Sequence, residues 1–123
     1  MEQEYIKGDI VMYDNKIHTI MDTLEVNNYE LSCIEHPVHQ LELSGVPLTH
    51  EILEKNGWEP TKESLGHSLK NKKYPRFALW SINNKWSFTI DGVMVCNTLS
   101  CLCYVHQLQH LLFGLGLNSE MEV

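Results

Sequence analysis

Between residues 70 and 86 the chain sets Lys70, Lys72, Lys73 and Arg76 against Tyr74, Trp80 and Trp86. Ammonium and guanidinium groups bind phosphate, the guanidinium bidentately, and a flat aromatic face gives a nucleobase something to stack on. The charge distribution singles out the same stretch. No acidic residue lies between Glu63 and Asp91, so with Lys85 the segment carries a formal +5, against −12 for the rest of a chain whose net charge is −7. We therefore take Lys70, Lys72, Lys73, Tyr74, Arg76, Trp80 and Trp86 as ligand-binding candidates for an anionic, nucleotide-like small molecule. The competing account makes the lysines a solvated loop and the tryptophans core. Leu79 and Trp80 fall on opposite faces of any strand, so only one of them points inward.

Three further groups could do chemistry. Cys103, His106 and His110 stand at offsets 0, 3 and 7, on one face of a helix, and could hold Zn²⁺ if His36 or His39 supplied a fourth ligand. No CxxC knuckle accompanies them, and we assign no metal and no cofactor. Cys96 or Cys103 beside His106 would make a thiol–imidazole pair, but no glycine loop that could form an oxyanion hole precedes either cysteine. His39, Glu42 and His50 are an undirected acid–base set. With neither GxGxxG nor GxxxxGK[ST] present, the reading favours a binding protein over an enzyme.

The elements that must position these residues follow from periodicity. Alternating apolar residues predict short strands at 9–13, 16–21, 29–34 and 38–43, with turns at Asp14-Asn15 and Asn27-Asn28 and with Pro37 at an edge or a strand start. Such a set folds as a small antiparallel curl, SH3-like in outline. Thr49 has the chemistry of an N-cap, His50 to Asn56 makes two helical turns, and Gly57 supplies a left-handed end on which Trp58 folds back. Residues 59–73 read as a polar loop. Strands at 77–82, 85–90 and 93–96, joined by turns at Asn83-Asn84 and Asp91-Gly92, then form a three-stranded meander. A helix over 98–117, capped by Asn97 or Thr98, closes the chain. It turns Cys101, Tyr104, Val105, Leu108, Leu111, Leu112 and Leu115 to the core, and presents Cys103, His106, Gln107 and His110.

At VPLTHEILEKNGWE (residues 46–59) and YVHQLQHLLFGLG (104–116) the chain resembles a widespread group of small uncharacterised proteins from Bacteroidetes and their phages and mobile elements. Members open on a segment like GDIVMYDNKIHTI and close on a YVHQLQN helix; this chain has His110 where an Asn is usual. The resemblance transfers no functional residue. It implies a context, an accessory protein of a phage or mobile element with a role in host interaction or anti-defence, such as sequestering a nucleotide immune signal.

The expected fold class is thus α+β: an N-terminal β lobe over 1–46, and a lobe over 47–123 of short helix, meander and amphipathic C-terminal helix, the two forming one folding unit. At 43% hydrophobic residues the composition is globular. No apolar run approaches the roughly 20 residues of a membrane span, and no secretory segment is recognisable, so we expect a cytoplasmic protein with Cys33, Cys96, Cys101 and Cys103 reduced. The acidic total argues against non-specific nucleic-acid binding. Edge strands and a long apolar helix face predict a homo-oligomer. The rival function is a protein-interaction module that binds a host protein through its acidic surface.

Overall fold

The computed structural model describes residues 5–61, 68–82, 85–91, 93–94 and 102–123. The chain is α+β and mostly antiparallel β. It divides into two compact units: Met1–Pro47 with Tyr104–Met121, and Leu48–Cys103 with Glu122–Val123. No helix among the described residues is long and apolar enough to cross a membrane.

In the first unit, β1 (Ile10–Tyr13), β2 (Lys16–Thr23), β3 (Asn28–Leu31), β4 (Val38–His39) and β5 (Leu43–Gly45) form a curled sheet in the order β4-β3-β2-β1-β5. Asp14 and Asn15, both at positive φ, make the two-residue β1–β2 turn expected of them. The next turn is one residue earlier than its asparagines suggest. Val26 and Asn27 take the left-handed positions, at φ 58° and 56°, and Asn28 starts β3. The predicted strand at 38–43 is interrupted by a single 3₁₀ turn, Gln40–Glu42, held by His39 N–H donating to Glu42 Oε2 and Leu41 N–H to His39 Nδ1. The buried side of the sheet carries Tyr5, Val11, Ile20, Tyr29, Leu31, Val38 and Leu43. Complete burial of an aliphatic or aromatic side chain contributes roughly 1.5–3 kcal/mol.

The C-terminal helix α2 spans Val105–Gly114 and belongs to this first unit, where it meets β1, rather than to the lobe with the second sheet. Its predicted start near residue 98 is also corrected. Leu102 is committed to an extended bridge, exchanging backbone hydrogen bonds with Trp86 (2.7 and 2.9 Å), and Tyr104 is extended at φ −128°. The proposed caps Asn97 and Thr98, with Cys96 and Cys101, lie outside the described residues. The expected helix faces change with the start. Val105, Leu108 and Leu112 are buried as predicted, but so are His106 and Gln109, while Tyr104 and Leu115 are exposed. Gln109 is accommodated because its side chain bonds the start of β1, before the pairing with β5 begins: Ile10 N–H donates to Oε1 (2.8 Å), and Nε2 donates to the Gly8 and Ser119 carbonyls.

In the second unit, α1 (His50–Lys55) is capped by Thr49, whose Oγ1 accepts from Ile52 N–H, and ends at Gly57 with φ +90°, both as the sequence predicts. Trp58 then enters a strand. β6 (Trp58–Pro60) and β7 (Ser68–Asn71) occupy much of what reads as a polar loop, and with β8 (Tyr74–Ile82), β9 (Lys85–Ile90) and β10 (Val93–Met94) they form a sheet in the order β10-β9-β8-β7-β6. Residues 62–67, the Asn83-Asn84 turn and Gly92 lie outside the described residues. Trp58, Leu69, Leu79, Trp86 and Phe88 are buried on one face.

Candidate functional site

The registers of β6 to β9 decide which predicted ligand residues can act together. Directly paired residues in an antiparallel sheet share a face, and positions two apart along a strand share it too. Leu69, Leu79 and Phe88 are cross-strand partners on the core face. The opposite face carries Ser68, Trp80 and Ser87 in one row, then Glu59, Lys70, Ala78 and Thr89 in the next, with Lys85 beside Ile82 on the other side of Trp80. Trp80 keeps 39% of its surface exposed, and the small side chains that flank it, Ser68 and Ser87, are buried. Lys70 and Lys85 are both exposed. Each is a diagonal neighbour of Trp80, at about 8 Å between backbone positions, on opposite flanks.

Arg76 lies on the same face, one row beyond Ala78, but its guanidinium is already engaged. Nε donates to both carboxylate oxygens of Asp91 (3.2 and 3.0 Å) and Nη2 donates to Oδ2 at 2.6 Å. This bidentate pair holds the Asp91 carboxyl below the usual aspartate range and raises the guanidinium further above its own, the hydrogen bond being the main cause of both. Lys72 and Lys73 are exposed at the β7–β8 turn, the end of the hairpin away from Trp80. Tyr74 tilts against Phe77 (6.0 Å between centroids) and Phe77 against Phe88 (5.3 Å), which ties it to the core-side aromatics.

Trp86 is corrected to a core residue. It is 4% exposed, its Nε1–H donates to the Leu48 carbonyl (3.0 Å), and the His50 ring meets it edge-on at 4.8 Å. It has no face to offer a ligand. Of the seven candidates, the face therefore unites Lys70 and Trp80, carries Arg76 in a paired state, and leaves Lys72, Lys73, Tyr74 and Trp86 elsewhere. Lys85 is the residue the segment-level reading undervalued. Its signal was available: it stands one residue before Trp86, so a strand that buries Trp86 must turn Lys85 outward with Trp80.

A second cluster arises on α2. Asp9 is 2% exposed, accepts from Ile6 N–H at 2.9 Å, and its Oδ2 lies 2.6 Å from His110 Nε2. His110 is partly exposed, while His106 is buried against the edge of Tyr5 (5.0 Å) and stacks with Tyr104. A buried carboxylate fixing an imidazole orients it for proton transfer. The two partners are 101 residues apart, and no sequence signal links them. Cys103 precedes the helix and so does not share a helical face with His106 and His110, and no group of three or more His, Cys, Asp or Glu gathers as a metal site among the described residues.

No protein-family model matches the chain, and comparison with curated proteins and with solved structures returns no match.

Proposed function

We propose that the chain is a non-enzymatic binding protein that sequesters an anionic small molecule with a planar base, a nucleotide or nucleotide signal, at Trp80 and the exposed lysines on its face of β7, β8 and β9. The observation that carries this reading is the exposed indole of Trp80 with an exposed lysine diagonal to it on each side. The indole stacks the base and the lysines neutralise phosphate. Lys72 and Lys73 contribute at longer range, and Arg76 contributes only if a ligand displaces Asp91. The resemblance to phage and mobile-element proteins supplies the context, with the host cytoplasm as the place of action. The strand order β5-β1-β2-β3-β4, with a 3₁₀ turn between β4 and β5, supports an SH3-like reading of the first unit.

Calorimetric titration with a panel of mono-, di- and cyclic nucleotides tests the proposal. Saturable heat is expected with at least one of them, the nucleotide being recovered intact, and Trp80→Ala should weaken it by about tenfold or more, since a stacked base is worth roughly 1–3 kcal/mol. Silence across the panel, or a Trp80→Ala variant that binds as tightly, would sink it.

A second reading has one observation of its own. The first unit holds ten acidic and two basic residues, a net −8, while the second is +1. On that acidic unit Val26 and Leu41 are 79% and 75% exposed, and Leu24 39%. Gln40 N–H donates to the Asn27 carbonyl, which keeps Leu41 beside the Val26 turn. The rival function therefore takes these side chains into a pocket of a basic host protein.

A further inference from the structure

Resting on the nucleotide reading above, we infer that the ligand carries phosphate on both sides of its base, a 3′,5′-bisphosphorylated or internal oligonucleotide unit rather than a simple 5′-nucleotide. Lys70 pairs with Ala78, two residues before Trp80, and Lys85 pairs with Ile82, two residues after it, on the opposite neighbouring strand. Trp80 is therefore the midpoint of a diagonal whose ends are the two lysines. With strands about 4.8 Å apart and a rise of about 3.4 Å per residue, their backbones are about 16 Å apart. A lysine stem reaches about 6 Å. One phosphate could touch both ammonium groups only if both stems lay fully inward over the indole, and it would then occupy the space the base needs. Stacking and both lysines are satisfied together only when the phosphates leave the base in opposite directions.

Among the described residues, the others on this face add no charge beside the indole: Ser68, Ala78, Ser87 and Thr89 are uncharged and buried. Arg76 is one row farther out and held by Asp91. Glu59 lies directly across from Lys70 on β6, so the Lys70 corner is the less positive of the two and its phosphate the more weakly held. A ligand with two phosphates on one side, such as a nucleoside diphosphate, has the charge and lacks the placement.

The test compares adenosine 5′-monophosphate, adenosine 5′-diphosphate and adenosine 3′,5′-bisphosphate by calorimetry with the full chain and with Lys70→Ala, Lys85→Ala and Trp80→Ala; both lysines are exposed, so the variants fold. The expected result is that the bisphosphate binds about tenfold more tightly than either 5′-nucleotide. Each lysine variant should then lower its affinity several-fold, Lys85→Ala more than Lys70→Ala, while only one of the two lysines affects the 5′-nucleotides. If the diphosphate binds as well as the bisphosphate, or if both lysines affect the 5′-monophosphate equally, the inference is overturned and the binding function stands. If none of the three binds and the wider nucleotide panel is also silent, the underlying function fails with it.

Discussion

Trp80 and Trp86 are six residues apart with the same side chain, and the structure buries one and leaves the other partly exposed. An indole with a buried, hydrogen-bonded N–H is part of the scaffold, so Trp86→Ala should cost about 3–5 kcal/mol of unfolding free energy. Trp80→Ala should cost less than Trp86→Ala, the indole being partly exposed, and be felt in binding as well. Denaturant unfolding of the two variants checks the contrast. The Arg76–Asp91 pair makes a pH prediction. Because the folded carboxyl titrates lower than the unfolded one, its contribution is present above the ordinary aspartate range and is lost as pH falls through the lowered folded value. A carbon-detected titration of Asp91 should find a midpoint below that of a model aspartate, and Arg76→Ala should return it to the ordinary value. Val26 makes a third prediction. A β-branched residue at φ 58° is strained by roughly 1–2 kcal/mol, whereas asparagine tolerates that conformation, so Val26→Asn should raise stability by about 1 kcal/mol in thermal or denaturant unfolding. A loss of stability would show that the turn is held by contacts of the valine itself.

At the scale of elements, the sequence was informative wherever a local rule acts alone. Thr49, Gly57 and the Asp14-Asn15 turn behave as their chemistry dictates, and the strand at 85–90 has its predicted ends. It misled where a tertiary bond overrides a local pattern. Residues before Val105 continue the helical spacing of apolar positions, yet the bridge between Leu102 and Trp86 takes the backbone out of helical geometry. Residues 68–71 are polar on average because SLKN alternates: Leu69 is buried on one face, and Lys70 is exposed on the other. The candidate site was half legible for the same reason. Its residue types were evident, but a register is needed to see that Lys70, Trp80 and Lys85 form one diagonal. Two substitutions test how α2 is held. Gln109→Ala leaves the buried Ile10 N–H at the start of β1 unsatisfied and removes the bond to the Gly8 carbonyl, and should cost about 1–3 kcal/mol. Gly45→Ala would put a methyl 2.6 Å from Tyr104 Cγ, and should destabilise by about 1–3 kcal/mol as Tyr104 is displaced.

At the scale of the whole molecule, the basic segment lies entirely within the second unit and brings it to a net +1, against −8 for the first. The acidic unit carries the curled sheet, α2 and the exposed Val26 turn; the slightly basic one carries the indole and its two lysines. A binding face on the near-neutral unit avoids the repulsion an anionic ligand would meet on the other. The most direct measurement is a two-dimensional amide and indole NMR titration with adenosine 3′,5′-bisphosphate. The Trp80 indole and the amides of residues 68–70, 78–80 and 85–87 are expected to shift in a saturable way, while the indoles of Trp58 and Trp86 stay in place. Shifts concentrated at the Asp9–His110 pair or at the Val26 turn, or no shifts at all, would contradict a binding face at Trp80.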